Sequence, residues 1–358
     1  MNQLNTHKVK RCRLLLAAFF LLLVSAVSRA ETFELTMASS HPTTLPWVGV
    51  LSTHVVKNTN TRLEQMGSED RVEWIESYGG ALFGYKNTLE AVEDGITDAG
   101  WVGTLWEESK MPYQSITYYT PFVIDSLPLL MNIMNDLQVK IPEFQRAWEK
   151  RNMVFLGSSG VETYHLVTNF PVNSIDDLKG RKIIAPGPSG NWINALGAVP
   201  VNGALPTYYN QIQTGIADGV VTIITGYYPN KLYEVAPYVT KIGLGSQFLG
   251  AFAINRDSWN KLSDDVRQVL SELGTEYSRI HAEEVERRYH NFLAELAKQP
   301  EVNIHELSAM EKQRWINSLP NIVGVWADHL DGGPRVLNTY MQAVRDAGVT
   351  PGRDWDKE

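Results

Sequence analysis

The residues able to do chemistry are many in this chain, but few are spaced to do it together. A hydrolase needs its nucleophile on a sharp turn with a base in reach. The serine-bearing turns Gly157-Ser158-Ser159-Gly160 and Gly187-Pro188-Ser189-Gly190 do not carry the G-x-S-x-G spacing and read as loops. His281 and Glu284 stand three apart, a separation that could seat a metal on one helix face. They sit among Glu283, Glu286, Arg287 and Arg288, and a solvated ion-pair face is the simpler reading. Gly243, Gly245 and Gly250 lack the spacing of a phosphate-cradling loop. No catalytic residue, metal ligand or cofactor is therefore expected. What remains is an aromatic supply of 10 Trp, 15 Tyr and 11 Phe, which suits a pocket that sandwiches a small organic solute.

The elements that must position such a pocket are legible once the N-terminus is set aside. Lys8, Lys10, Arg11 and Arg13 precede an apolar run from Leu14 to Val27 and the small-residue site Ser28-Arg29-Ala30. This is the pattern of a secretory signal over residues 1–30, too short for a spanning helix, with cleavage expected after Ala30 and the mature chain in the periplasm. The single cysteine, Cys12, leaves with it, so no disulfide, reactive thiol or lipid anchor is expected. Losing five of 32 basic residues leaves 27 against 40 acidic ones, a formal net charge of −13 in place of −8. Nucleic acid is then an unfitting partner.

About 328 residues remain with no Pro- or Ser-rich linker, so two intertwined lobes are expected. An internal echo supports them. Thr88–Gly100 and Tyr209–Gly219 match at an offset of 120 through Val92 and Ile212, Gly95 and Gly215, Ile96 and Ile216, Asp98 and Asp218. Each copy predicts a helix stopped by a left-handed glycine, an isoleucine folding back on the core, an aspartate turn and a strand. Apolar runs at 33–37, 182–185 and 220–224 predict buried strands alternating with helices, an α/β layout with mostly parallel pairing. Pro206 opens a helix over 208–214. From 263 to 297, apolar residues at three- and four-residue spacing predict one helix of roughly 50 Å at ~1.5 Å per residue, long enough to brace both lobes unless it breaks at Gly274.

The segment SIDDLKGRKIIAPGPSGNWINALGAVPVNGALPTYYNQIQTGIADGVV (Ser174–Val221), with YGGALFGYKNTLEAVEDGITDAGWV (Tyr78–Val102), Thr120-Pro121-Phe122 and Lys231–Val235, resembles the DctP-type solute-binding proteins of TRAP transporters. The resemblance covers nearly the whole mature chain. It implies the two-lobed periplasmic binding protein fold, with intertwined lobes, hinge strands and a long lobe-spanning helix. The lobes are expected at 31–158 plus about 248–275 and at 159–247 plus about 298–358, with the helix at about 263–297. It also implies a receptor, not an enzyme, that closes on a solute and hands it to membrane permease subunits, acting as a monomer. A ligand sensor for a membrane signalling protein and an exported enzyme on the same fold are the alternatives.

In that family two arginines and an asparagine of the second lobe hold the ligand's carboxylate. Aligning the motifs puts them on Tyr164, Ile184 and Thr222, so all three have changed, although Arg181 could swing inward. Each charge-assisted bond lost is worth roughly 1.5–3 kcal/mol. A C4-dicarboxylate or other organic acid is therefore the secondary expectation. The favoured ligand is a small amine or amino alcohol such as ethanolamine, or a neutral solute. It would be held by Ser39, Tyr85, Trp101 and Thr104 of the first lobe and by Tyr164, Ile184, Trp192, Leu205, Thr222 and Tyr227 of the second. Glu162, Glu107 or Glu108 would supply the negative charge an ammonium needs.

Overall fold

A computed structural model describes residues 30–358; the signal-sequence expectation at 1–30 lies almost wholly outside them. Among the described residues, eleven strands form two sheets: β1 (Thr32–Ala38), β2 (Arg71–Ser77), β3 (Ala99–Gly103), β4 (Met153–Val161), β5 (His165–Thr168), β6 (Lys182–Ile184), β7 (Val199–Val201), β8 (Gly219–Thr222), β9 (Tyr238–Lys241), β10 (Gln247–Asn255) and β11 (Asn303–Glu306). The first sheet runs β2-β1-β3-β10-β4 and the second β11-β9-β5-β8-β6-β7. In each, three parallel strands come first, followed by an antiparallel one that belongs in sequence to the other half of the chain.

The echo between the halves has a structural counterpart. Gly95 and Gly215 take the left-handed conformation, with φ of +71° and +73°. Asp98 accepts the Thr36 N–H at 2.8 Å, and Asp218 accepts the Lys182 N–H at 2.9 Å, so each aspartate fastens the neighbouring parallel strand. The isoleucines differ from expectation. Ile96 and Ile216 are 60% and 52% exposed, so neither folds back on the core.

Two adjacent crossovers join the sheets, Glu162–Tyr164 from β4 to β5 and Ile242–Ser246 from β9 to β10. They are stitched to each other, the Tyr164 N–H donating to the Gly245 carbonyl and the Leu244 N–H to that of Tyr164. The helix Asp264–Leu296 is unbroken, with Ser263 capping its first turn by accepting the Val266 N–H. Gly274 serves packing instead of a break. A Cβ there would stand 2.4 Å from the Leu156 carbonyl oxygen, so glycine lets the helix lie directly on β4. Farther along, Phe292, Leu293 and Leu296 pack into the core of the second sheet, and the helix braces both lobes.

The strand pleat divides the core. Leu166, Ile183 and Val221 join the large cluster shared with the first sheet, while Val167, Ile184 and Val220 point the other way into a smaller one with Tyr208, Ile212 and Tyr227. The C-terminal stretch is also shared between lobes. β11 extends the second sheet, whereas Tyr340 joins the large cluster and the indole of Trp355 donates to the Pro121 carbonyl of the first lobe. Among the described residues, no helix is long and apolar enough to cross a membrane.

Candidate functional site

A cavity of about 50 Å³ lies between the sheets, lined by His41, Trp47, Leu105, Trp106, Val161, Tyr164, Pro186, Leu205, Tyr208, Thr222, Ile223 and Leu249. Its position follows from topology. His41 follows β1, Leu105 and Trp106 follow β3, Pro186 follows β6 and Ile223 follows β8. These are the carboxyl ends of parallel strands, where open α/β sheets bind ligands. At ~10–15 Å³ per water-sized probe, the space between the lobes admits only a few such groups.

Beside the cavity the lobes meet in a backbone contact. Gly187 has φ of +54°, and a Cβ there would stand 2.6 Å from Leu105 Cδ1 and 3.0 Å from the Leu105 carbonyl oxygen. A bare glycine lets the second lobe seat on the first.

Among the described residues, none lining the cavity carries a charged side chain. His41 is the one group able to become charged near neutrality, and burial lowers its pKa to about 4. Its Nδ1 lies 3.0 Å from Ser40 Oγ, and its ring stands edge-on to Trp101 and stacked on Trp106. The Tyr164 hydroxyl pairs with that of Tyr118 at 3.2 Å, and burial holds the Tyr164 and Tyr208 phenols neutral, well above the ordinary range. The walls are rings, short aliphatic chains and neutral hydroxyls. Such a surface binds by apolar burial, ring contacts and uncharged hydrogen bonds.

Of the residues expected from sequence, Tyr164, Leu205 and Thr222 line this cavity. Ser39 and Trp101 stand behind His41, Ser39 Oγ accepting the His41 N–H and Trp101 donating to Ser159 Oγ. Thr104 donates to the Leu249 carbonyl at 3.4 Å. Tyr85 packs edge-on against Trp106 at the outer mouth, a wider space of about 620 Å³. Ile184 and Tyr227 belong to the second-lobe core, where Tyr227 donates to the Ala236 carbonyl. Trp192 stacks on Tyr118 and donates to its carbonyl, one layer behind Tyr164.

The expected negative charges are occupied elsewhere. Glu162 turns from the cavity and accepts the N–H and hydroxyl of Thr225 at 2.7 and 2.8 Å. It lines a separate space of about 380 Å³ behind the crossovers with Asp125, His165, Lys241, Glu286 and Lys312. Glu107 is salt-bridged to Lys110 at 3.0 Å, and Glu108 accepts the Tyr119 hydroxyl. Arg181 stacks on Phe170, its guanidinium carbon 4.0 Å from the ring centroid. Among the described residues, those lining the inner cavity thus offer no cation or anion to a solute, and the charged side chains Lys86, Glu107, Glu108 and Lys110 stand at its outer mouth.

The cavity residues that sequence reading missed are His41, Trp47, Leu105, Trp106, Val161, Pro186, Tyr208, Ile223 and Leu249. Following each predicted parallel strand past its carboxyl end would have reached several of them. The motifs considered for catalysis do not converge. Ser189 donates to the Pro186 carbonyl, and Glu284 pairs with Arg287 and Arg288 while His281 lies stacked on Tyr277.

A family model described as "Bacterial extracellular solute-binding protein, family 7" (DctP) matches residues 53–327. The chain belongs to that family. A curated relative, the "C4-dicarboxylate-binding protein DctB" of Bacillus subtilis, is 30% identical over 156 residues, which is 42% of this chain and only 43% of that protein. Among solved structures, a marine metagenome TRAP solute-binding protein specific for aromatic acids, in complex with 3-hydroxybenzoate, superposes with a TM-score of 0.77. It is 17% identical and covers 88% of this chain and 99% of that one. A TRAP periplasmic solute-binding protein of Bordetella bronchiseptica with bound mandelate superposes at 0.73, with 21% identity and coverage of 87% and 99%. At these identities the structures establish the two-lobed fold, and the family match establishes the kind of receptor.

Proposed function

We propose that this family 7 protein is an extracytoplasmic TRAP receptor for a small uncharged solute of about one ring or less. It would close on that solute in the periplasm and present it to membrane permease subunits. The observation that carries the ligand class is the lining of the cleft cavity, rings and neutral hydroxyls with no charged side chain among the described residues. A carboxylate would lose its hydration there without a cation to offset the loss, and an ammonium would meet ring faces alone, worth ~0.5–2 kcal/mol each. Glu162, which was to complete an amine site, is committed to Thr225. The ligands in those two solved structures carry both a ring and an acid group, and of the two only a ring finds partners in this lining.

Closure supplies the coupling to transport. A solute touching both Trp106 and Tyr208 favours the shut form by its differential contacts, and only that form offers the permease a joined surface. The reading is tested by thermal shift across organic acids, amines, polyols and neutral aromatics. A neutral ring compound at 100 times its Kd is expected to stabilise the protein by about 2.7 kcal/mol. Stabilisation by succinate or ethanolamine, with none by any neutral compound, would overturn it.

A further inference from the structure

The most deeply buried tryptophans differ in how their indoles are paired. Trp101, Trp148, Trp192, Trp315 and Trp355 are fully buried, and each donates its indole N–H to a protein acceptor, respectively Ser159, Gln138, Tyr118, Trp192 and Pro121, at 2.7–2.9 Å. Trp47 is 3% exposed and lines the cleft cavity, yet its Nε1 has no partner among the described residues. An orphaned buried donor costs about 1–3 kcal/mol.

Trp47 is also held firmly in place. It sits at the start of a helix (Pro46–Val50) that passes through a π-helical turn, Leu51–Val56, before resuming α geometry. The changed ladder leaves the Trp47 carbonyl to accept the Tyr277 hydroxyl at 2.7 Å, from the long helix. The indole packs against Trp101 and stands edge-on to His41, with centroids 6.1 and 6.3 Å away. A side chain fixed from behind, at the wall of a ligand cavity and with its buried indole N–H unpaired, is a preorganised donor.

We infer that the Trp47 indole N–H is the hydrogen-bond donor that selects the solute, which must therefore present an uncharged acceptor such as a carbonyl oxygen to the first-lobe wall. The inference rests on reading the cleft cavity as the solute site. It adds to that reading a first-lobe donor opposite the Tyr208 and Thr222 hydroxyls of the second lobe.

The test compares wild-type protein with Trp47→Phe, using acetophenone and its near-isostere α-methylstyrene, in which a methylene replaces the carbonyl oxygen. Titration calorimetry is expected to show wild type preferring acetophenone by tenfold or more, and W47F losing that preference through weaker acetophenone binding alone. The carbonyl stretch of bound acetophenone should also fall in frequency in wild type and not in W47F. Equal wild-type affinities for the two compounds, or equal losses of both in W47F, would overturn the inference and leave Trp47 a packing residue. If only organic acids bind, the neutral-solute reading fails by itself. The donor is then judged on 3-hydroxybenzoate or succinate, whichever binds: a tenfold loss in W47F upholds it, and unchanged affinity overturns it.

Discussion

Two spaces flank the same crossover and could hardly differ more. Val161 and Tyr164 face the cleft cavity, which is aromatic and uncharged, while Glu162, Thr163 and His165 face the space behind, shared with Asp125, Lys241, Glu286 and Lys312. One short segment thus sorts its side chains by polarity. Among the described residues, charge faces the joint between the lobes and is absent from the lining of the cleft cavity. A receptor of acids would invert that arrangement by bringing guanidinium groups into the cleft. The fold therefore does not dictate ligand charge; a handful of side chains at the strand ends does.

The contrast is broken most directly by putting charge into the cleft. Thr222→Asp places an unpaired carboxylate beside Tyr164 and Tyr208, and calorimetry should show solute affinity falling at least a hundredfold, since an uncompensated buried charge costs several kcal/mol. An unchanged affinity would mean that Thr222 is not at the solute.

The rear space gives the next largest effect. Burial outweighs the Thr225 hydrogen bonds and raises the Glu162 pKa from 4.5 to about 7. The folded state then holds a proton that the unfolded state releases near 4.5. Glu162 therefore costs stability as pH rises from about 4.5 to 7, by of order 1–3 kcal/mol. Glu162→Gln should remove this loss, so that urea midpoints of the mutant change less with pH across that window than those of wild type.

The smallest effect belongs to the wall between the two. Tyr164→Phe removes the bond to the Tyr118 hydroxyl and should lower unfolding free energy by ~0.5–1.5 kcal/mol, with the fold and the pH profile unchanged. His41, with its pKa near 4, should leave solute affinity flat between pH 6 and 8 in both proteins.

Much of the frame was legible in the residues. Gly95, Gly215, Asp98 and Asp218 announced paired helix-to-strand turns, and the spacing from Val266 to Leu296 announced the lobe-spanning helix. The site was less so. Tyr164 and Thr222 could be placed because a family pattern has its acid-binding groups there, but Ile184, found by the same alignment, points into the second-lobe core. A strand's pleat changes face at every residue, and a motif does not state which face meets the cleft. In the loop and helix after β1, Ser39 was expected at the site, but His41 and Trp47 were not, since the sequence does not state which residues of that loop turn toward the cleft. Only the closed fold brings them to Tyr208. Gly274 left a break open as the alternative to one long helix, since a glycine that lets two backbones touch and one that ends a helix look alike in sequence.

The exchange of strands between the halves has a consequence for how the molecule comes apart. The first sheet waits for β10, which the chain supplies only after the second sheet's β5 through β9 are laid down, and β5 itself follows directly on β4. Neither half of the sequence encodes a complete lobe. A protease nick in one crossover leaves the other still tethering the two bodies, and a truncated half would expose the unpaired edge of β3 or β8. The hinge that lets the receptor open is thus also the stitch that prevents it from dividing into two independent proteins.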